Sequence, residues 1–124
     1  MLFLALVLYE AGRVVVAKQT VNEKFKTALT QKDGFVSLTD ISKDYIDIFL
    51  QVEDPMFYAH KGIDFKTPGA GLTTVSQSLT KRLFFKQFKP GFAKLEQSLI
   101  ARFVVHPTIS KDDQLLAFFR HIYT

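Results

Sequence analysis

The sequence contains no cysteine, which excludes a disulfide framework and any thiolate nucleophile or ligand, while fitting reducing and oxidising compartments alike. It contains no tryptophan either, so its aromatic character rests on 13 Phe and four Tyr. Only four Pro and six Gly are spread through the 124 residues. There is no Pro/Gly-rich linker, low-complexity tract or internal repeat, and this length fits one domain with one core. A complete membrane span is missing as well. Met1-Leu2-Phe3-Leu4-Ala5-Leu6-Val7-Leu8-Tyr9 is apolar throughout, but Glu10 and Arg13 interrupt it short of the roughly 20 residues that a spanning helix needs. The same stretch lacks the basic leader and small-residue cleavage site of a signal peptide. Two readings stay open: a buried first helix, or the outer end of a spanning helix whose beginning has been lost.

What is present predicts a packed fold. Hydrophobic residues make up 48% and charged residues 23%, far from a disordered composition. The net charge of +4, from 16 basic and 12 acidic residues, is unevenly placed. Between positions 81 and 102, Lys81, Arg82, Lys86, Lys89, Lys94 and Arg102 face the single acid Glu96, so an anionic partner is expected there.

Four stretches after residue 40 have helical periodicity. Ser42 can cap a helix with Tyr45, Ile46, Phe49 and Leu50 on one face, ending near Asp54-Pro55. Thr73 or Thr74 can start a second, with Val75, Leu79 and Leu83 in step. After Pro90-Gly91, a third places Phe92, Leu95, Leu99 and Phe103 on one stripe, and Pro107 closes it. Ser110 with Asp113 forms a capping box for a fourth, whose apolar side is Leu115, Leu116, Phe119 and Ile122. Earlier, Val14-Val15-Val16 reads as a strand or as the tail of the first helix, and Asp33-Gly34 marks a turn before Phe35 to Leu38.

The most informative stretch is Glu53-Asp54-Pro55-Met56-Phe57-Tyr58-Ala59-His60-Lys61-Gly62. Paired acids at a helix end, then an apolar ring, then His-x-Gly, form a polar cluster that helix propensity does not explain. A carboxylate beside apolar residues such as Phe57 would have its charged form disfavoured, as a general base near neutral pH requires. The plainer alternative is that Glu53 and Asp54 are solvated residues at a helix end.

Glu53-Asp54-x-x-Phe57-x-x-His60-x-Gly62 resembles the first signature of the peptidoglycan glycosyltransferase domain of class A penicillin-binding proteins and monofunctional transglycosylases. The family's second signature, a Gly-Gly-Ser-Thr-Ile-Thr-Gln-Gln run leading into a helix with a Lys, is similar to the stretch from Gly71 through Thr74 and Gln77 to Lys81. Its third, Arg-Lys-x-x-Glu, finds Glu96, and its Ser-Lys-Glu-Glu-Ile-Leu helix resembles Ser110-Lys111-Asp112-Asp113-Gln114-Leu115. Order and spacing agree throughout.

The resemblance implies a mainly α, lysozyme-like glycosyltransferase domain with short irregular or β segments before residue 40. It implies an inverting hexosyltransferase that polymerises lipid-linked disaccharide-peptide precursor into glycan strands for the bacterial wall. Glu53 would be the catalytic base and Glu96 a second catalytic acid that helps hold a divalent cation such as magnesium or manganese. Asp54, Phe57, His60, Thr74, Gln77 and Lys81 would line the substrate site. The expected location is the outer face of the bacterial inner membrane. Residues 1–12 are then the remnant of a membrane anchor, and 13–124 a partial domain, incomplete at its C-terminus.

Some positions depart from the family pattern. Leu72 stands for a Gly and Ser78 for a Gln, while Phe92 and Ala93 occupy the Arg-Lys pair of the third signature, with Lys94 nearby on a different helix face. A departing pyrophosphate needs fixed cations or a metal, so weak catalysis is expected. A non-catalytic relative that binds membrane or glycan is the leading rival, and a lysozyme-like hydrolase, with Glu53 as general acid, is another. Separately, aromatic and basic residues interleave from Arg82 to Phe92, as in segments that meet a bilayer surface. Such interleaving also binds single-stranded nucleic acid, but no nucleic-acid module accompanies it, so a membrane surface is expected and no nucleic acid.

Overall fold

A computed structural model describes residues 1–30, 37–64, 73–88 and 91–122. The described residues are mainly helical and contain no strand, as a mainly-α lysozyme-like domain requires. The long first helix, α1 (Leu2–Thr30), runs unbroken through Val14-Val15-Val16. The helical reading of that run therefore holds. Ala17, Val21, Phe25 and Ala28 recur at helical spacing and are all buried, so tertiary packing of one stripe outweighs the modest strand preference of three valines. The expected Asp33-Gly34 turn lies outside the described residues. Ser37 caps the short 3-10 turn Leu38–Asp40, which is the irregular segment before residue 40.

Each later helix starts where a side chain can satisfy its free amides. Ser42 accepts from the Tyr45 amide at the head of α2 (Lys43–Glu53), and Asp54 closes it. Phe49 packs 5.0 Å from Phe119 and 5.5 Å from Phe118, which fixes α2 against the last helix. Thr74 and Gln77 form a reciprocal capping box on α3 (Val75–Phe84). Helix α4 (Phe92–Ile100) continues through a π-helical turn, Ala101–Val105, into the short α5 (His106–Thr108), so Pro107 sits inside the last turn rather than beyond it. Ser110 accepts from the Asp113 amide at the start of α6 (Lys111–Ile122).

The third helix differs from expectation. Phe92, Leu95 and Phe103 lie on the exposed side, at 68%, 44% and 49% exposure, while Glu96, Gln97, Ile100, Ala101, Val104 and Val105 turn inward. The physical reason is that the polar members of the inner face find partners. Gln97 Nε2 donates to the Gln77 carbonyl at 2.7 Å, and Gln77 Nε2 donates to Ser98 Oγ at 2.8 Å. A buried amide that is hydrogen-bonded costs little, so α4 can bury a mixed face. Ser76 Oγ and Gln114 Oε1, 2.6 Å apart, make the corresponding link from α3 to α6. Around these links Phe25, Phe57, Leu79, Ile100, Leu115 and Phe119 form the core, each ring or leucine contributing about 1.5–3 kcal/mol of burial.

Candidate functional site

The stretch after α2 is held from three sides. Asp54 is buried, and its Oδ2 accepts from the Val75 amide at 3.0 Å and lies 2.8 Å from His60 Nε2. His60 Nδ1 accepts from the Gly62 amide at 3.0 Å, which leaves the ring proton on Nε2 to be donated to Asp54. Thr74 Oγ1 then donates to the Gly62 carbonyl at 2.7 Å. Gly62 has φ +97°, and a Cβ there would meet the Ala101 carbonyl oxygen at 2.6 Å, so only glycine lets this loop lie on the start of the π turn.

Helix α6 supplies the third side. Lys111 Nζ donates to the carbonyls of Phe57 and His60, the latter at 2.8 Å, and its ammonium lies 4.7 Å from the centre of the Phe57 ring. Burial pushes its pKa down to about 8, against the pull of Asp54. Tyr58 Oη donates to Asp112 at 2.8 Å, and burial, with that hydrogen bond and charge, pushes the phenol up to about 12. The sequence match of Ser110-Lys111 gave no role to Lys111; its role is to tie the loop to α6.

Asp54, Phe57 and His60 are thus engaged within the fold, behind the end of α2. Glu53, the last residue of α2, instead remains exposed. It lines a cavity of about 140 Å³ with Phe49, Thr73, Thr74, Val75, Ser78 and Phe118. Its apolar neighbours there are Phe49, Val75 and Phe118, and Phe57 does not line this cavity. Gln77 is buried in its cap, with Oε1 accepting from the Thr74 amide at 2.9 Å. Lys81 is exposed, its ammonium 5.3 Å from the centre of the Phe88 ring. Lys94 Nζ donates to Thr73 Oγ1 at 2.7 Å, on the rim of the cavity that Glu53 lines.

Glu96 faces α1. Arg13 Nε donates to its Oε1 at 3.2 Å, and Glu10 lies beside it, with a pKa raised by burial first and then by the Glu96 charge and hydrogen bond. Glu10 Oε2 is buried with no hydrogen-bond partner among the described residues. The Arg13 guanidinium already engages the Glu96 carboxylate, and no three His, Cys, Asp or Glu side chains among the described residues converge on one point. The donors around Glu96 therefore do not fit a divalent cation, which wants several free oxygens.

In the basic–aromatic segment, Phe85 and Phe88 pack edge to face at 5.4 Å, while Phe84 and Phe85 pack against the core. Those rings are partly committed to the fold. The apolar residues most open to solvent are Met1, then Leu2, Phe3 and Leu8 of α1, with Val52 and Ile48 of α2 and Phe92, and Leu4 follows. No described helix is long and apolar enough to cross a membrane.

The transglycosylase family model matches residues 18–124. The chain is also similar to penicillin-binding protein 1F of Bacillus subtilis (strain 168), 27% identical over 131 residues that cover 95% of this chain and 18% of that protein. The chain thus spans less than a fifth of that relative's length. No solved structure matches.

Proposed function

Because this chain belongs to the transglycosylase family, we propose that it acts as a peptidoglycan glycosyltransferase module that extends glycan strands from lipid-linked disaccharide-peptide precursor. The observation that carries this reading is the placement of Glu53, a carboxylate open to solvent at a cavity whose walls are fixed by buried hydrogen bonds. A base must reach its proton, and it must also be held still.

In this reading Glu53 takes the proton of the acceptor 4-hydroxyl while that oxygen attacks the anomeric carbon of the growing chain. The new glycosidic bond forms as the bond to the lipid pyrophosphate breaks, with inversion. Asp54, His60, Phe57 and Gln77 act as positioning residues, through the hydrogen bonds and packing that fix the end of α2 against α3 and α6. Thr74 lines the acceptor side. Negative charge on the leaving group is met by lysines, and no step is routed through a metal at Glu96. The exposed apolar start of α1, with Phe92, supports work at a membrane surface, and in this reading that surface is the outer face of a bacterial membrane, where such a precursor would be met.

Phe92 and Ala93, at the first turn of α4, favour a second reading in which the chain binds glycan or membrane without turnover. One assay separates the readings. Incubation with lipid-linked disaccharide-peptide should yield glycan strands that lysozyme digests. Binding without strands would support the second reading. Reducing ends released from finished wall, with no strands from precursor, would instead identify a hydrolase.

A further inference from the structure

Helices α1 and α4 leave an apolar groove of about 480 Å³ between them, with Phe3, Val7, Glu10 and Val14 on one side and Leu95 and Leu99 on the other. The α1 residues recur every three or four positions, the spacing of a seam that packs on another helix, and they run for about 17 Å. Glu10 is the single polar side chain lining the groove, and it is only 5% exposed. Its Oε2 has no hydrogen-bond partner among the described residues, while Arg13, about one turn further on, gives its Nε to Glu96. A buried carboxyl without a counterpart is costly, whereas one that meets a cation across an apolar contact sets the register of that contact.

We propose that this groove receives one apolar helix of a membrane protein, and that a single Lys or Arg on that helix pairs with Glu10. The position of Glu10 selects a helix over a lipid chain. It lies within the groove, about two turns from Phe3 and about one from Val14. An amphiphile carries its charge at one end, so with that charge on Glu10 its chain fills only part of the groove. A helix presents a cation with apolar side chains on either side of it. The exposed Leu4 and Leu8 do not line the groove, so α1 can keep them on a bilayer while the partner helix is seated. No groove residue lines the Glu53 cavity, and the inference does not depend on the transferase reading.

The test places the whole chain in phosphatidylcholine bicelles with a synthetic Leu-Ala helix of about 20 residues, carrying one central Lys and a photoreactive diazirine beside it. Cross-links should map to α1 or α4. Half-saturation should come at a concentration at least about tenfold below that of the same peptide with Leu in place of Lys, as a charge-assisted contact predicts. Glu10→Gln, at unchanged helix content, should bring the two peptides within about twofold of each other. Equal half-saturation of both peptides on the parent chain, or a Lys preference that survives Glu10→Gln, would overturn the pairing. No cross-link from either peptide would overturn the groove as a docking site. Dodecylamine that displaces the Lys peptide at equal concentration would assign the groove to a single-chain amphiphile. Dimers of the chain alone that Glu10→Gln abolishes would assign it to a second copy, and either outcome overturns the partner helix.

Discussion

Glu53 and Asp54 are neighbours in sequence and opposites in environment: Asp54 is 2% exposed with its Oδ2 shared between His60 and the Val75 amide, whereas Glu53 opens onto the cavity. The end of α2 thus commits one carboxylate to structure and, under the proposed function, leaves the other for chemistry. One anchors the backbone at the point where the other must be held.

Asp54→Ala should therefore act on stability before activity. It removes a charged acceptor and leaves a buried His N–H and a buried amide unpaired, a loss of about 3 kcal/mol in unfolding free energy. Urea unfolding followed by circular dichroism measures it. A loss below about 0.5 kcal/mol would mean that the buried pair is not structural.

Gly62→Ala tests the contact between the loop and the π turn. Positive φ and a Cβ only 2.6 Å from the Ala101 carbonyl should together cost about 2 kcal/mol or more. The same substitution at Gly12, within α1 and with nothing near its Cβ, should be neutral or stabilising by up to about 1 kcal/mol. Equal thermal midpoints for the two variants would contradict the close approach.

The caps show what was legible in the sequence. Ser42 and Ser110 cap their helices where expected, each accepting from the amide three residues on, and of the two candidates Thr73 and Thr74 it is Thr74 that starts α3, in a box with Gln77. The face that α4 buries was not legible. Its orientation depends on Gln97 meeting the Gln77 carbonyl and on Glu96 meeting Arg13, partners 20 and 83 residues away, and on a π turn that breaks the simple period. Counting apolar residues favoured Phe92, Leu95, Leu99 and Phe103, because a periodicity argument cannot know that polar residues will find partners. The site divides in the same way. The motif singles out Glu53 as a candidate, but the contacts of Lys111 and Lys94 are made across the fold and no local pattern announces them.

Glu10 gives the fold a pH dependence. Its pKa is raised in the folded state, so the folded form holds this proton more tightly than the unfolded form. That contribution is fully present below the ordinary carboxylate value of 4.5 and is lost as pH rises through the raised folded value. Glu10→Gln, which keeps a donor for Glu96 without a charge, should raise the thermal midpoint at pH 7 and leave it nearly unchanged below the ordinary carboxylate range. A lower midpoint at pH 7 would show that the ionised Glu10 is stabilising.

Membrane attachment should reside in α1. Leu4→Ser with Leu8→Ser, at 59% and 64% exposure, should weaken co-sedimentation with anionic vesicles about tenfold or more, since each removes apolar surface available to the bilayer. Phe85→Ser should instead lower stability, because that ring packs on Phe88 and the core. The reverse pattern would return the membrane contact to the segment from Arg82 to Phe92.

The most direct test of the central claim is the initial rate of glycan-strand formation from lipid-linked disaccharide-peptide by the chain and by its Glu53→Gln variant, with the unfolding midpoints of both recorded. If Glu53 is the base, the parent forms strands and the variant, equally stable, forms them about 10²-fold more slowly or less. Strand formation by the variant within about threefold of the parent would contradict the assignment.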